Sequence, residues 1–208
     1  WNTTFNLGHN SNKVVKLDGE QTQIVSGTQI HKVGSSYRTF YVQEFAGINP
    51  ETGNPLFYTN ELDENGNYIK EITENSKNAQ FIPYKHAEPT VNGGISNSLR
   101  YKWLDLNFLF SYQFGGYSYD TWAQKTEHGG YDSYANIPTY YRDSWKKPGD
   151  QTNIEVYMLG KSSSVSMHKI TSSRRIHSTD YFRLKNITFG ITLPKEWTNK
   201  INIGNVRF

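Results

Sequence analysis

Residues 104 to 116, LDLNFLFSYQFGG, alternate apolar and polar side chains almost without error. Leu104, Leu106, Phe108, Phe110, Tyr112 and Phe114 fall on one face, and Asp105, Asn107, Leu109, Ser111, Gln113 and Gly115 on the other. Successive side chains point to opposite sides in a strand, so the period fixes a β-strand with one apolar face. That face needs a non-aqueous neighbour. The two candidates are a second sheet, as in a soluble sandwich, and the hydrocarbon of a membrane.

Hydrophobic residues make up only 35% of the 208, while aromatics reach 15%, led by 15 Tyr and 11 Phe. Few aliphatics and many rings suit a β protein with wide polar loops better than a helical bundle. No run of about 18 apolar residues occurs, which excludes a transmembrane helix. A membrane barrel stays open, because its alternating strands average out in hydropathy. With no cysteine there is neither a disulfide scaffold nor a thiolate zinc site. A net charge of +3, spread along the chain, gives no support for a nucleic-acid partner.

Further strands read along the chain. WNTTFNLG puts Trp1, Thr3, Phe5 and Leu7 on one face. Residues 18–36 read as loop, and YRTFYVQEFAGIN (37–49) reads as a strand with mixed character on both faces. NPETGNP is a dense turn signal, and the polar stretch that follows it, with DENGNY inside, reads as loop or a surface hairpin. ISNSLRYKW and the opening stretch form two arms with a reversal near 102–105. Arms of about 9–11 residues have the length a tilted strand needs to cross a bilayer. YFRLKNITFGITLP (181–194) returns as a strand whose apolar phase slips near Asn186, which predicts a bulge. A last strand is expected from Ile201. The chain opens at Trp1 without an initiator Met or leader pattern and stops inside strand-like NKINIGNVRF, so both ends are expected to lie within a longer protein.

Short links near 103 and 194–200 thus alternate with long ones at 50–92 and 117–178. Outer-membrane barrels have this asymmetry, whereas sandwiches show turn signals every 8–12 residues or so. No catalytic constellation emerges, and no enzyme activity, cofactor or metal is expected. His31, His86, His128, His168 and His177 are isolated, and Glu127, His128 and Asp132 in TEHGGYD read as plain loop residues. The 117–178 connection is crowded with rings. Trp122, Tyr131, Tyr134, Tyr140, Tyr141 and Trp145 are the candidate ligand contacts, since exposed rings offer large contact area at low entropy cost. The same rings could instead glue the loop to itself.

Four stretches together resemble the SusC/RagA family of TonB-linked outer-membrane transporters: NPETGNPLFY (49–58), NGGISNSLRYKWLDLNFLFSYQFGG (92–116), DSWKKPGD (143–150) and STDYFRLKNITFGITLP (178–194). The resemblance implies an all-β fold, an antiparallel transmembrane β-barrel segment from a roughly 22-stranded barrel filled by an N-terminal plug. Residues 1–208 would be a partial C-terminal segment of it, with roughly five strands and the start of a sixth; the plug and the final strands would lie elsewhere in the chain. It implies outer-membrane localisation and TonB-driven import of a glycan or oligopeptide. The implied partners are a SusD-like surface lipoprotein, TonB acting through the plug region, and outer-membrane lipid. Residues 104–116 would run outward, with 37–49 as a second outward strand; the long 18–36 link would then be periplasmic, which is unusual. Leu106, Phe108, Phe110 and Tyr112 are expected to face lipid, and Asp105, Asn107, Ser111 and Gln113 the lumen. The competing reading is a soluble or surface β-rich carbohydrate-binding module.

Overall fold

The alternating stretch is strand from Leu104 to Phe114, and it is paired along both edges. In the computed structural model, which describes residues 1–131, 136–160, 167, 169–204 and 206–208, the chain begins β1 (Asn2–His9), β2 (Gln23–Ser26), β3 (Gln29–Lys32), β4 (Thr39–Gln43), β5 (Phe45–Ile48), β6 (Pro55–Tyr58) and β7 (Ile72–Thr73). It continues β8 (Phe81–His86), β9 (Val91–Tyr101), β10 (Leu104–Phe114), β11 (Tyr117–Tyr119), α1 (Thr121–Thr126), β12 (Ile176–Ser178), β13 (Tyr181–Ile191) and α2 (Lys195–Thr198). Every paired strand is antiparallel to its neighbour. The chain divides into two compact units, residues 1–11, 88–116 and 179–208 in one, and 12–87 and 117–178 in the other.

The first unit is a sheet in the order β1-β9-β10-β13. Strands β9, β10 and β13 are each 11 residues long, about twice the usual strand length. A two-residue turn, Lys102-Trp103, joins β9 to β10, with Lys102 at φ 54°, the backbone such tight hairpins require. At the other end the chain leaves the sheet twice, between His9 and Val91 and between Phe114 and Tyr181. Asn10 N–H donates to the Thr90 carbonyl, Thr90 N–H to that of Phe114, and Gly115 N–H to the Asp180 carboxylate at 2.6 Å, pinning both exits. The bulge expected near Asn186 is present: Leu109 opposes Asn186 and Phe110 opposes Leu184, leaving Lys185 unopposed.

Residues directly opposite one another share a face, so this register sorts the side chains of the whole sheet. Phe5 and Leu7, Ile95 and Leu99, Leu106, Phe108 and Phe110, and Phe182, Leu184, Ile187 and Phe189 share one side. The other carries Asn6, Ser96, Ser98, Arg100, Asp105, Asn107, Ser111, Gln113, Arg183 and Thr188. Among the described residues Tyr112 is the only buried hydrophobic side chain of this unit.

The second unit is organised as β2-β3-β4-β8, β5-β6-β7 and β11-β12. It has an interior: Phe57, Ala79, Met167 and Ile170 form a buried cluster with Phe45 against it, and Ile30, Phe40, Val42 and Ile82 are also buried. The strand read at 37–49 belongs here and not to the long sheet. It breaks at Glu44 into β4 and β5, which join different sheets. In β4 Thr39, Phe40, Val42 and Gln43 are all buried, so both sides of the strand are covered. That is the physical content of its mixed pattern. With it removed from the long sheet, residues 18–36 become part of the same excursion as 50–87, and no long link remains at the hairpin end. The sheet accordingly has four strands and the start of a fifth, rather than five and the start of a sixth.

The last strand also begins later than Ile201. Pro194 caps α2, a 3-10 turn over Asn199–Ile201 follows, and Asn202 turns left-handed at φ 53°. Only then do Val206 and Phe208 pair with Leu193 and Ile191 along the outer edge of β13. Lys-Glu-Trp after a proline favours a helical turn, because proline at a helix start supplies the right backbone angle. No helix among the described residues is long and apolar enough to cross a membrane, which bears on helices alone.

Candidate functional site

Two features of the sheet carry chemistry, one on each face. On the apolar face the Tyr112 ring lies across Gly93 of β9 and its hydroxyl donates to the Asn6 carbonyl of β1 at 2.8 Å. A Cβ at Gly93 would stand 2.5 Å from the Tyr112 hydroxyl, so glycine makes the crossing possible. Phe5 stacks on Tyr112 from β1, and Phe114 from the far side. On the polar face Arg207 reaches over Gly190 of β13 to Asp105 of β10, with Nη2 2.7 Å from the carboxylate. In each case a long side chain crosses a glycine strand and ties together two strands that are not neighbours.

The apolar face is the less ordinary of the two. Phe5, Leu7, Phe182, Ile187 and Phe189 remain 58–62% exposed. A continuous apolar surface of this kind is unstable against water and marks contact with lipid or with other protein. Leu106, Phe108, Phe110 and Tyr112 lie on it, and Asp105, Asn107, Ser111 and Gln113 lie opposite.

The aromatic candidates of the 117–178 segment are not gathered into one site. Asp120 caps α1 by accepting from Ala123 N–H at 2.8 Å, which sets Trp122 outward at 72% exposure with Lys125 over its ring. Tyr131 is partly exposed, under the Lys169 ammonium. Tyr140 keeps an open edge while its hydroxyl donates to Glu127. Tyr141 is buried, 5% exposed, beside Tyr140. Trp145 is half-buried and donates from Nε1 to the Pro50 carbonyl at 2.7 Å. Tyr134, with Asp132 and His168, lies outside the described residues.

Sequence reading missed the charged cluster that holds Tyr140. Glu127 accepts from Tyr140 and stands 3.8 Å from both Arg174 and Arg175, the latter fully buried and donating to the Met167 carbonyl. Burial and the Glu127 carboxylate together push the Tyr140 phenol up, and burial with the Glu155 and Glu127 charges does the same to Tyr141. Both phenols therefore stay protonated across the physiological range, Tyr140 as the donor to Glu127. The signal for this was the Arg-Arg pair beside the Ser-rich run, which gave no hint of its partner 47 residues away.

The NPETGNP turn is also a packed element. Gly53, at φ 71°, lies flat against Trp145, where a Cβ would come within 2.5 Å of the ring. Glu74 accepts from Asn49, from Thr52 at 2.8 Å and from Asn54 at 3.1 Å. Burial works to raise the Glu74 pKa, but the donors from Asn54, Thr52 and Asn49 outweigh it and hold the carboxyl below its ordinary value. A folded pKa below the unfolded one gives stability that is whole above the unfolded value and is lost as pH falls through the folded one. Protection of the amides at 49 and 51–54, measured against the intrinsic exchange rate at each pH, should therefore fall on acidification through the carboxylate range. In Glu74→Gln that protection should already be low at neutral pH and unchanged through the carboxylate range, as hydrogen-exchange mass spectrometry can read.

No family model matches the chain. It is 28% identical over 221 residues to the TonB-dependent receptor P3 of Formosa agariphila, covering all of this chain and 21% of that protein. It is 25% identical over 210 residues to the TonB-dependent receptor SusC of Bacteroides thetaiotaomicron, covering 95% of this chain and 19% of that one. A structure of the RagAB peptide transporter superposes with a TM-score of 0.77 at 25% identity, over 99% of this chain and 22% of the other. The same importer in its closed-closed state gives 0.78 at 22% identity, which bears on fold alone. The chain thus spans about a fifth of the length of the curated relatives it matches. The resemblance to the SusC/RagA type holds from end to end, in sequence and in fold.

Proposed function

We propose, from this kinship with SusC/RagA-type TonB-linked outer-membrane transporters, that the chain is a wall segment of a plugged barrel that imports a glycan or oligopeptide. The observation that carries the reading is the long sheet: 11-residue strands with an exposed apolar side and a polar side, and both large excursions at one end. Leu106, Phe108, Phe110 and Tyr112 face acyl chains; Asp105, Asn107, Ser111 and Gln113 face the lumen or the plug. The plug, which TonB pulls, and the rest of the barrel lie elsewhere in a longer protein. A SusD-like lipoprotein covers the outer end, where Trp122, Tyr131 and Tyr140 offer ring surface to ligand or lid, while Tyr141 and Trp145 hold the excursion together.

Uptake of labelled oligosaccharides and oligopeptides by cells carrying the full-length protein tests this. Accumulation of one class should require both the protein and TonB, and the protein should copurify with its lipoprotein lid. Uptake of neither class, or uptake indifferent to TonB, overturns the reading.

A further inference from the structure

The second unit holds a groove of about 490 Å³ that none of the loop rings discussed above reaches. Volumes of about 300–1,000 Å³ are usual for small-ligand sites. One wall is the sheet: Tyr41 of β4 opposes Pro83 of β8, and the Tyr41 and Phe81 rings lie 5.4 Å apart, tilted by 37°. The other is the DENGNY hairpin, where Leu62 bridges to Tyr68 and Asp63 accepts from Asn65 and Asn67 N–H. Phe81 and Tyr68 are 41% and 42% exposed, so both present ring surface. The polar lining is mostly amide: Gln23, Gln80 and Asn60. Asn60 is 1% exposed, held at φ 52°, with Nδ2 donating to Glu44 and Oδ1 without a donor among the described residues.

We propose that this groove binds a neutral oligosaccharide. The assignment rests on the import reading, to which it adds a ligand class and a docking place. Rings present flat apolar surface that suits the C–H face of a sugar. An amide side chain both donates and accepts, as each sugar hydroxyl does, so Gln23, Gln80 and Asn60 match a polyol without needing charge. Lys32 and Glu61 balance one another in the lining.

Calorimetry on the full-length protein in detergent tests the proposal, with short neutral gluco-, manno- and xylo-oligosaccharides as probes and uncharged peptides in parallel. At least one oligosaccharide should bind. Phe81→Ala and Tyr68→Ala should each weaken it about tenfold or more, a loss of about 1.4 kcal/mol, while Phe81→Trp retains binding. Both truncated rings are surface-exposed, and unchanged amide exchange in the buried core around Phe57 would verify that the variants fold. Binding of peptides only, of no probe, or of an oligosaccharide equally by all variants overturns the assignment. TonB-dependent uptake that persists alongside any of those results leaves the import reading standing and removes this one alone.

Discussion

Replacing Phe108 by arginine should destabilise the inserted barrel by about 2–4 kcal/mol, the cost of a cation on the lipid face near the bilayer midplane. Phe108 is the fifth of the 11 residues of β10, opposite Asn97 on one side and Ile187 on the other. Its neighbour Asn107 lies one residue away on the opposite face, between Ser98 and Thr188. Asn107→Arg should therefore cost far less, because the same guanidinium would enter a polar surface. The comparison controls for strand propensity and for position along the strand. Urea unfolding of the full-length protein in lipid vesicles reads the difference, and equal losses for the two variants would contradict the facing proposed for this sheet.

Gly93→Val should be the most damaging small substitution in the sheet. Its Cβ would meet the Asn6 carbonyl oxygen at 2.2 Å and the Tyr112 ring carbon Cζ at 2.7 Å, and backbone cannot yield as a side-chain tip can. Overpacking of this kind costs about 1–3 kcal/mol, and the displaced Tyr112 hydroxyl loses a bond worth about 1 kcal/mol more. Tyr112→Phe, which keeps the ring, should show only the second, smaller part. Because the two residues touch, Gly93→Val with Tyr112→Ala should be less harmful than the two single losses added together. Strict additivity in the same unfolding assay would mean that the ring does not cross β9 in the membrane.

Much of the wall was legible because a period of two is a local property. The face of β10, the reversal after Tyr101 and the slip at Asn186 follow from neighbours in the chain, and the register agrees with each. The segment at 37–49 was misread for the complementary reason. A strand covered on both sides has no alternation to report its partners, so nothing local separates β4 and β5 from a wall strand. The last strand begins later than Ile201 because Ile201 and Ile203, spaced as in a strand, flank left-handed Asn202 at the end of the 3-10 turn that follows α2. The groove was out of reach altogether: Tyr41, Asn60, Tyr68 and Phe81 meet only through the Tyr41–Pro83 pairing and a hairpin, neither of which leaves a pattern in composition. Glu127 and the Arg174–Arg175 pair are similar, joined by tertiary packing across the segment that also holds the rings.

Both excursions leave the sheet at one end, and the opposite end is closed by a two-residue reversal. Insertions, deletions and wholesale rewriting of residues 12–87 or 117–178 can accordingly accumulate without shifting any hydrogen bond between the long strands. The long strands can therefore stay constant while the two excursions diverge in length and sequence from one relative to the next.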